Sequence, residues 1–587
     1  MYTIEEQRGE FGMIRQLWGY FGKNKAYAII ACTLVVVETI LELLIPMVMI
    51  EIIDVGVKNQ DLNFIIHRGI IMILLAIISL VLGLSYAHFA ALASQGVGAN
   101  LREAMYRKIQ QFSFANMDNF SESTLVTRLT GDVTIIQRTI GQGIRPFARG
   151  PIMAGVAFIL TLRVNMAIAM IFLVSAPLLS VVIYFVIRHT RPWYKKTQIA
   201  LDKINLKVQE TLVAIRVVKS YVRGDYEKEA FAKITGEYQE VSQKAFHFAV
   251  MNAPLLQVSM YATTVAILWI GGNLIPEHLK VGELIGCLSY VLQILNGLMI
   301  FSMVFTMFMR AIASIERVEE VLNEPILMTD TATREYRIQV GEIEFQHVSF
   351  QYSAAAKEEV LTDINLHIPA GQTLGVVGGT GSAKSSLVQL LPRLYDTTKG
   401  CIKIDGIDIK EYSLKNLREE VGIVLQKNLL FSGTIRDNLQ WGDEAASDEM
   451  LDKVCQIACA SEFIQNMPQG YDTELGQGGV NLSGGQKQRL CIARALLKQP
   501  KILIFDDTTS AVDTATEARI REGIARELSE VTKIIISQRV ASVQNAEQIV
   551  VLRDGKMDAV GTHELLLKTN EIYLDMYETQ KRGVILS

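Results

Sequence analysis

A glycine-rich stretch with a lysine and two serines lies in the second half of the chain, between an apolar run and a helix-like segment. The apolar run, 373–377, is typical of a buried strand, and 387–391 is typical of the beginning of a helix. The order of strand, glycine-rich loop, Lys-Ser and helix predicts a phosphate-binding loop. The residues that we expect to hold the phosphates are Gly378, Thr380, Gly381, Ser382, Ala383, Lys384, Ser385 and Ser386.

The chemistry expected of this loop is the binding of ATP with Mg²⁺. The N–H groups of the loop and of the following helix would face the phosphates. Lys384 would reach the β- and γ-phosphate oxygens, and the Ser385 hydroxyl would ligate Mg²⁺. The position before the lysine, usually glycine, is Ala383. Alanine is tolerated there if its φ is helical and is unfavourable if its φ is positive.

Three further residues, in or next to predicted strands, could contact the same nucleotide and its Mg²⁺. Tyr352 lies upstream of the loop, and its ring could stack on an adenine. Gln426 ends the strand-like run 421–425 and could reach Mg²⁺ and the attacking water. Asp506 ends the buried run 502–506, where a carboxylate can hold Mg²⁺ through water.

A second candidate phosphate-facing helix N-terminus begins at Ser483-Gly484-Gly485-Gln486. Downstream, Asp507 follows the strand carboxylate, Ser510-Ala511-Val512-Asp513 comes next, and Gln538 follows the apolar run 534–536. Any one of these signals has an ordinary structural explanation, such as a strand aromatic or a helix cap. Their joint occurrence in this order is far more specific for a nucleotide-hydrolysing domain.

The first half of the chain carries most of the apolar residues of a sequence that is 50 % hydrophobic. A length of 587 residues exceeds a single core, so several domains are expected. We predict an all-α membrane domain over 1–325, a linker over 326–340 and an α/β P-loop nucleotide-binding domain over 341–587. The membrane domain would have an interfacial helix over 11–25 and six spans, near 27–50, 68–92, 143–162, 165–187, 250–274 and 283–309.

The connections 93–142 and 188–249 are long and basic, which predicts that they lie in the cytoplasm. They are expected to be helices that leave the bilayer and turn back near 121–133 and 214–221. Both termini and the nucleotide-binding domain would then be cytoplasmic. No cleaved signal peptide is expected, because the charged N-terminus has no short apolar segment. The net charge of −4 gives no support for a nucleic acid partner.

Two features of the spans are candidates for a substrate cavity. Glu38 and Glu42 lie at i, i+4 in the first span, where a carboxylate is costly and usually faces a cavity or a partner. They would attract cationic or polar substrates, or they would be bonded to a neighbouring helix. Met299 and Met303 belong to a run rich in Met and Phe, which can re-pack around varied ligands or serve ordinary packing.

Together these motifs resemble those of an ATP-binding cassette (ABC) exporter along nearly the whole chain. The resemblance implies that two such domains face each other, each ATP lying between the phosphate loop of one and the Ser483–Gln486 type of signature of the other. It also implies that 121–133 and 214–221 are coupling helices. ATP binding would turn the membrane halves outward, and hydrolysis would reset them.

Three departures from the family's pattern favour one variety of exporter. The family usually has a glutamate base where this chain has Asp507, and a histidine where it has Gln538, while Ala383 replaces a glycine. The shorter Asp507 carboxylate would hold the attacking water less well. The pattern resembles the degenerate-site subunit of a bacterial heterodimeric multidrug exporter in the cell membrane. Its partner would be a non-identical half-transporter with the usual Glu and His.

Other interpretations remain open at this point. The chain could be a homodimeric exporter of lipid or peptide. It could also be an ATP-gated channel or a regulatory membrane subunit, although the intact signature would then have no clear use. An introduced substitution would also account for Ala383.

Overall fold

The computed structural model describes residues 16–274, 279–330, 335–353, 358–507 and 512–585. Its chain divides into two compact units. The first comprises residues up to Gln110 together with Glu122–Asn323, and the second comprises Gln111–Ser121 together with everything from Glu324 onward.

The long secondary-structure elements of the first unit are helices. Its helices are α1 (Lys25–Glu51), α2 (Leu62–Gln110), α4 (Glu122–Thr127), α5 (Val133–Val164), α6 (Met166–Val213), α7 (Ile215–Ser220), α8 (Gly224–Val250), α9 (Asn252–Leu274) and α10 (Val281–Asn323). The long apolar segments bury little of their surface, which suits helices surrounded by lipid. The chain is a multi-pass membrane protein.

Each of the six predicted spans coincides with one long helix, namely α1, α2, α5, α6, α9 and α10. Among the described residues, three segments are long and apolar enough to cross a membrane: Gly22–Val57, Leu62–Gln110 and Glu122–Val164. The apolar part of α10, Val281–Ile294, is shorter. The count of six spans therefore stays a prediction. For the predicted interfacial helix over 11–25, residues 11–15 lie outside the described part, 16–20 are helical, and a turn follows at Phe21.

The first short helix after α2 lies earlier in the chain than the predicted turn at 121–133. After α2 the chain forms α3 (Phe114–Asn119), whose residues belong to the second unit. The predicted stretch 121–133 instead begins the next long helical run, through α4 and a π-helical turn over Arg128–Asp132 into α5. The second predicted turn, 214–221, agrees closely with α7.

Polar contacts hold this π-helical segment against the C-terminal end of α10. Asp132 accepts from Arg317 and, at 2.9 Å, from the Ser314 hydroxyl. Arg128 pairs with Glu320 at 2.7 Å. Because Asp132 is buried, its charge needs these partners. These tertiary contacts stabilise residues 128–132 as part of a continuous helical run, so the chain does not reverse direction there.

Three β-sheets are present in the described part of the second unit. An antiparallel sheet has the order β2 (Leu361–Ile368), β1 (Ile343–Phe350), β4 (Lys399–Ile404), β5 (Ile407–Asp408). A six-stranded sheet has the order β12 (Lys556–Gly561), β11 (Gln548–Arg553), β3 (Thr373–Gly378), β10 (Thr532–Ile536), β9 (Ile502–Asp506), β6 (Val421–Val424). A small pair joins β7 (Gly433–Thr434) to β8 (Glu474–Leu475).

Helices complete the second unit and cover its sheets. They are α11 (Lys384–Gln389), α12 (Leu414–Glu420), α13 (Ile435–Gln440), α14 (Asp448–Ile457), α15 (Ser461–Gln465), α16 (Gly484–Leu497), α17 (Thr514–Glu527), α18 (Val540–Val543), α19 (His563–Thr569) and α20 (Glu571–Ile585). One apolar core joins the antiparallel sheet to the face of the larger sheet, and a second lies under α14 and α16.

Strand order brings the predicted site residues to one edge. β3, β10, β9 and β6 are neighbours and run parallel. Their carboxyl ends therefore meet at the same edge of the sheet, which is where ligands bind in open α/β sheets. Gly378, Gln538, Asp506 and Gln426 lie at or just beyond these four ends.

Candidate nucleotide site

A cavity of about 310 Å³ lies at this sheet edge. It is lined by Val360, Thr380, Gly381, Ala383, Lys384, Ser385, Ser386, Gln426, Asp506, Asp507, Ile536 and Gln538. The predicted phosphate loop, magnesium ligands and catalytic positions thus share one site. Val360 and Ile536 were not predicted, because an apolar side chain at a strand end carries no chemical signal in the sequence.

Lys384 is folded into the loop that precedes it. Its Nζ donates to the carbonyl oxygens of Gly378 at 2.9 Å and Gly379 at 2.7 Å. Burial lowers the pKa of Lys384, and the nearby carboxylates of Asp507 and Asp506 oppose that shift. A cation held inside a loop of backbone amides is suited to bind phosphate. The loop also needs glycine at position 378, because a Cβ there would lie 2.3 Å from the Leu552 carbonyl oxygen.

Ala383 adopts a left-handed conformation, with φ of 70° and ψ of 23°. It directly precedes α11, where the chain must change direction before the helix begins. Ala383 therefore has the positive φ that is unfavourable for a residue with a Cβ. A left-handed backbone costs a residue with a Cβ about 1 kcal/mol relative to glycine.

The predicted magnesium ligands lie together. The Ser385 hydroxyl donates to Oδ1 of Asp506 at 2.7 Å, and Gln426 lines the same cavity. Burial raises the pKa of the Asp506 carboxyl, as does the adjacent Asp507, so a nearby cation would stabilise its charged form. Within the described residues, no group of three or more His, Cys, Asp or Glu side chains could hold a metal. Mg²⁺ needs no such group, since it takes oxygen ligands from one or two side chains, phosphates and water.

Asp507 and Gln538 face each other across the cavity. Nε2 of Gln538 lies 3.4 Å from Oδ2 of Asp507, a long hydrogen bond. The Asp507 backbone N–H donates to the Ile536 carbonyl at 3.0 Å, which fixes its position beside β10. Burial raises the pKa of Asp507, which would favour a role as a proton acceptor nearer neutral pH.

Tyr352 lies beside the phosphate loop with its ring half-exposed. Its hydroxyl shares a hydrogen bond of 2.8 Å with the Ser386 hydroxyl. Phe350 and Tyr395 contact the ring edge-on, at centroid distances of 4.8 Å and 5.1 Å. These contacts fix the ring orientation and leave part of its surface available for stacking on a base.

The signature residues lie apart from the cavity. Ser483 caps α16 in a reciprocal arrangement, in which the Ser483 hydroxyl accepts from the Gln486 N–H and Gln486 Oε1 accepts from the Ser483 N–H at 2.9 Å. Gly484 and Gly485 form the first exposed turn. None of the four lines the cavity. An exposed, well-capped helix N-terminus can receive an anion from another molecule.

In the membrane unit, arginines neutralise the two predicted cavity carboxylates. Glu38 pairs with Arg145 at 2.5 Å, and Glu42 pairs with Arg149. Both pairs join α1 to α5, and Glu38 is buried. The arginines were missed, although they share the i, i+4 spacing of the glutamates. This arrangement favours the alternative in which the carboxylates bond to a neighbouring helix.

Some predicted site residues lie outside what the structure describes. The side chains of Met299 and Met303 do, so their substrate role stays a prediction. Ser510 and Ala511, after Asp507, also lie outside the described residues.

Comparison with protein families matches both units. Residues 28–299 match the ABC transporter transmembrane region, and residues 361–510 match the ABC transporter family. A solved structure of a bacterial Atm1-family ABC exporter with ATP bound has the same fold. It is 22 % identical, with a TM-score of 0.81 over 95 % of this chain and 99 % of that chain.

Several bacterial proteins are similar over most of their length. An uncharacterized ABC transporter ATP-binding protein of Bacillus subtilis, YfiB, is 38 % identical over 94 % of this chain and 96 % of its own. A second one from the same species, YfiC, is 32 % identical over 97 % and 94 %. An ATP-dependent lipid A-core flippase of Desulfotalea psychrophila is 31 % identical over 90 % and 92 %.

Proposed function

The chain belongs to the ABC transporters, as an ATP-hydrolysing transporter with a transmembrane and a nucleotide-binding domain, and we propose that it is the degenerate-site subunit of a heterodimeric exporter. In this proposal its own cavity binds MgATP and hydrolyses it slowly. Its Ser483–Gln486 signature completes a faster site on a partner chain. The cargo is an amphipathic or hydrophobic compound moved out across the bacterial cell membrane.

The pairing of Asp507 with Gln538 carries the proposal. In this proposal Asp507 and Gln538, 3.4 Å apart in the cavity, take the roles of the family's usual glutamate and histidine. Aspartate reaches one methylene less far toward a water, and an amide cannot carry the charge of an imidazolium. A misplacement of about 1 Å can cost about 100-fold in rate. Lys384 and Ser385, the predicted phosphate and magnesium ligands, line the same cavity, which supports binding without rapid turnover.

Exposed apolar surfaces support an assembly of two chains. Around α7, Tyr221 and Val222 are 74 % and 87 % exposed. In the nucleotide-binding unit, Phe431 and Trp441 stack at 4.2 Å, and both are exposed. Apolar surfaces of this kind mark protein interfaces. ABC exporters act as dimers, and in this proposal the second chain is a different half-transporter with the usual Glu and His.

ATPase measurements on purified protein test the proposal. The full-length chain alone in lipid nanodiscs should hydrolyse ATP at the background rate of a Lys384→Ala control. Co-expression with a half-transporter encoded beside it should restore turnover. Substitution of the partner's catalytic glutamate should abolish that turnover, whereas Asp507→Asn in this chain should change it less than about 3-fold. Rapid hydrolysis by the lone chain would overturn the heterodimer.

A lipid cargo is the second candidate, favoured by the neutralised carboxylates. Each glutamate of α1 is matched by an arginine, so the pairs present no net negative charge to a cationic drug. One relative is named a lipid A-core flippase. Transport of a cationic dye and of a fluorescent anionic lipid would separate the two cargoes.

The variants for this comparison follow from the ion pairs. Glu38→Gln alone leaves the Arg145 cation unpaired and should be more damaging than Glu38→Gln with Arg145→Gln. A cavity that selects cations would lose dye transport in both variants. A purely structural pair would lose it only in the single variant.

A further inference from the structure

The turn that carries Gln538 is held by a residue from the C-terminal helix. Gln580 on α20 donates from Nε2 to the Gln538 carbonyl oxygen at 2.7 Å. Its Oε1 accepts from the Val540 N–H at 2.8 Å. Because the two partners are an acceptor and a donor, only one orientation of the amide satisfies both. The side chain therefore spans the turn and fixes the backbone on both sides of Arg539.

The helix itself is anchored by other residues. Tyr573 is fully buried in an apolar cluster with Val540 and Val543. Its hydroxyl bonds to the His563 ring at 2.7 Å. Gln580 lies two turns further along α20, and its side chain is only partly buried. Docking of α20 therefore has apolar contacts of its own, through Tyr573 together with Ile572, Met576 and Tyr577, besides the local contact of the Gln580 amide at the turn.

Neighbouring contacts stabilise α18, which lies beyond the turn. On α17, Glu517 accepts from the Ser542 hydroxyl at 2.6 Å, and Arg521 donates to the Ala541 carbonyl at 2.7 Å. These contacts fix residues 541 and 542. The carbonyl of Gln538 is held by Gln580, and its backbone N–H bonds to the Asp507 carboxylate.

Small shifts of this turn would matter in the nucleotide cavity. The Gln538 side chain is exposed into the cavity, and its contact with Asp507 is already long at 3.4 Å. Loss of the bond to the Gln538 carbonyl oxygen would free rotation about ψ of Gln538 and loosen the backbone that carries its side chain. The position of Gln538 relative to a γ-phosphate therefore depends on a residue 42 positions away.

We propose that Gln580 is a positioning residue that holds Gln538 toward the γ-phosphate end of the nucleotide cavity. The C-terminal helix thereby sets how strongly this chain prefers ATP over ADP. The proposal concerns nucleotide binding by this chain alone, so it stands or falls independently of the heterodimer and of the hydrolysis rate.

Nucleotide affinities of the full-length chain in nanodiscs test the proposal. The ratio of the ADP to the ATP dissociation constant, both with Mg²⁺, should fall about 5-fold in Gln538→Ala, the typical effect of one hydrogen bond. Gln580→Ala should produce a similar fall while ADP affinity stays unchanged. Thr579→Ala, an exposed neighbour on α20, is the matched control and should leave the ratio unchanged.

A double variant and a conservative variant separate positioning from general stability. Gln538→Ala combined with Gln580→Ala should be no worse than Gln538→Ala, because the two residues act through one contact. Gln580→Glu keeps an acceptor for the Val540 N–H and loses the donor to residue 538. Hydrogen exchange at Val540 should stay slow in Gln580→Glu and become about 10-fold faster in Gln580→Ala, while both lose the ATP preference.

Three results would overturn the proposal. The first is an unchanged ATP preference in Gln580→Ala and Gln580→Glu. The second is an additive loss in the double variant, which would mean that the residues act separately. The third is an unchanged preference in Gln538→Ala, since there would then be no side chain to position.

Discussion

The nucleotide-binding unit contains two regions that are predicted to face phosphates. They differ in how closely their residues follow the family's pattern. The phosphate-loop cavity contains a left-handed Ala383, a short carboxylate at Asp507 and an amide at Gln538. The signature at Ser483–Gln486 is well capped and exposed, yet it lies outside that cavity. In our proposal the first region departs from the family's usual residues, whereas the second keeps the usual signature and acts at a site on a partner chain.

In our proposal this difference means that the two regions serve different sites. A cavity that holds Lys384 and Ser385 in place can bind nucleotide without a strong base. A capped helix N-terminus supplies N–H groups and a dipole, and it needs no residue of its own to react. The contrast predicts that binding by the lone chain and turnover by the assembly respond to separate substitutions.

The largest effect is expected from Lys384→Ala. Loss of a buried cation that faces the phosphates should weaken MgATP binding by the lone chain about 1000-fold. Lys487→Ala, which removes a lysine from the signature helix α16, is the matched control and should change it less than about 2-fold. Binding isotherms of both variants measure the contrast. Equal losses would mean that the signature helix belongs to the same site.

Ser483→Arg should have the opposite profile. A long cation at the N-cap blocks the approach of another chain's phosphates, so turnover of the two-chain transporter should fall about 100-fold. Nucleotide binding by the lone chain should be unchanged. Ser483→Thr keeps a capping hydroxyl and should retain most of the activity. A loss of lone-chain binding in Ser483→Arg would contradict the separation of the two regions.

A smaller gain is expected when the cavity receives the family's usual residues. Asp507→Glu with Gln538→His should raise the turnover of the lone chain about 30-fold, because the base reaches the water and a cation can face the γ-phosphate. Each single substitution should give less than half of that gain on a logarithmic scale. Steady-state ATPase rates of the double and single variants in nanodiscs measure this gain. An inactive double variant would show that the defect lies elsewhere.

The smallest effect is expected from Ala383→Gly. Relief of the left-handed strain should stabilise the protein by about 1 kcal/mol, which corresponds to a rise in Tm of about 3 °C for a domain of this size. Ala525→Gly, in the exposed face of α17, should lower stability by a similar amount. Thermal unfolding of the two variants compares the signs directly. A destabilised Ala383→Gly would show that the loop is not strained.

Much of the site could be predicted from sequence, because parallel strands bring their ends together. The gathering of Lys384, Asp506 and Gln538 follows from a simple rule about sheet edges. The φ of Ala383 could not be predicted, since the residue type alone does not determine the backbone angle at this position. The pairing of Glu38 with Arg145 joins residues 107 positions apart, and only the packing of α1 on α5 brings them into contact.

The short helix α3, which follows the long helix α2, shows a similar limit. Its position at Phe114–Asn119, rather than 121–133, depends on contacts of Asp132 with Arg317 that keep the later stretch helical. Local periodicity is the same in both places. The choice between turn and helix is made by residues far along the chain.

The short helix α3 has a consequence for how the protein is made. Asp118 accepts a hydrogen bond of 2.9 Å from Tyr395, although 277 residues separate them. Its neighbour Ala115 packs against the core of the nucleotide-binding unit. A ribosome adds about 5 to 20 residues per second, so α3 leaves the ribosome tens of seconds before its binding surface exists. During that interval the growing chain carries an unfinished surface that a chaperone, or the membrane insertion machinery, must tolerate.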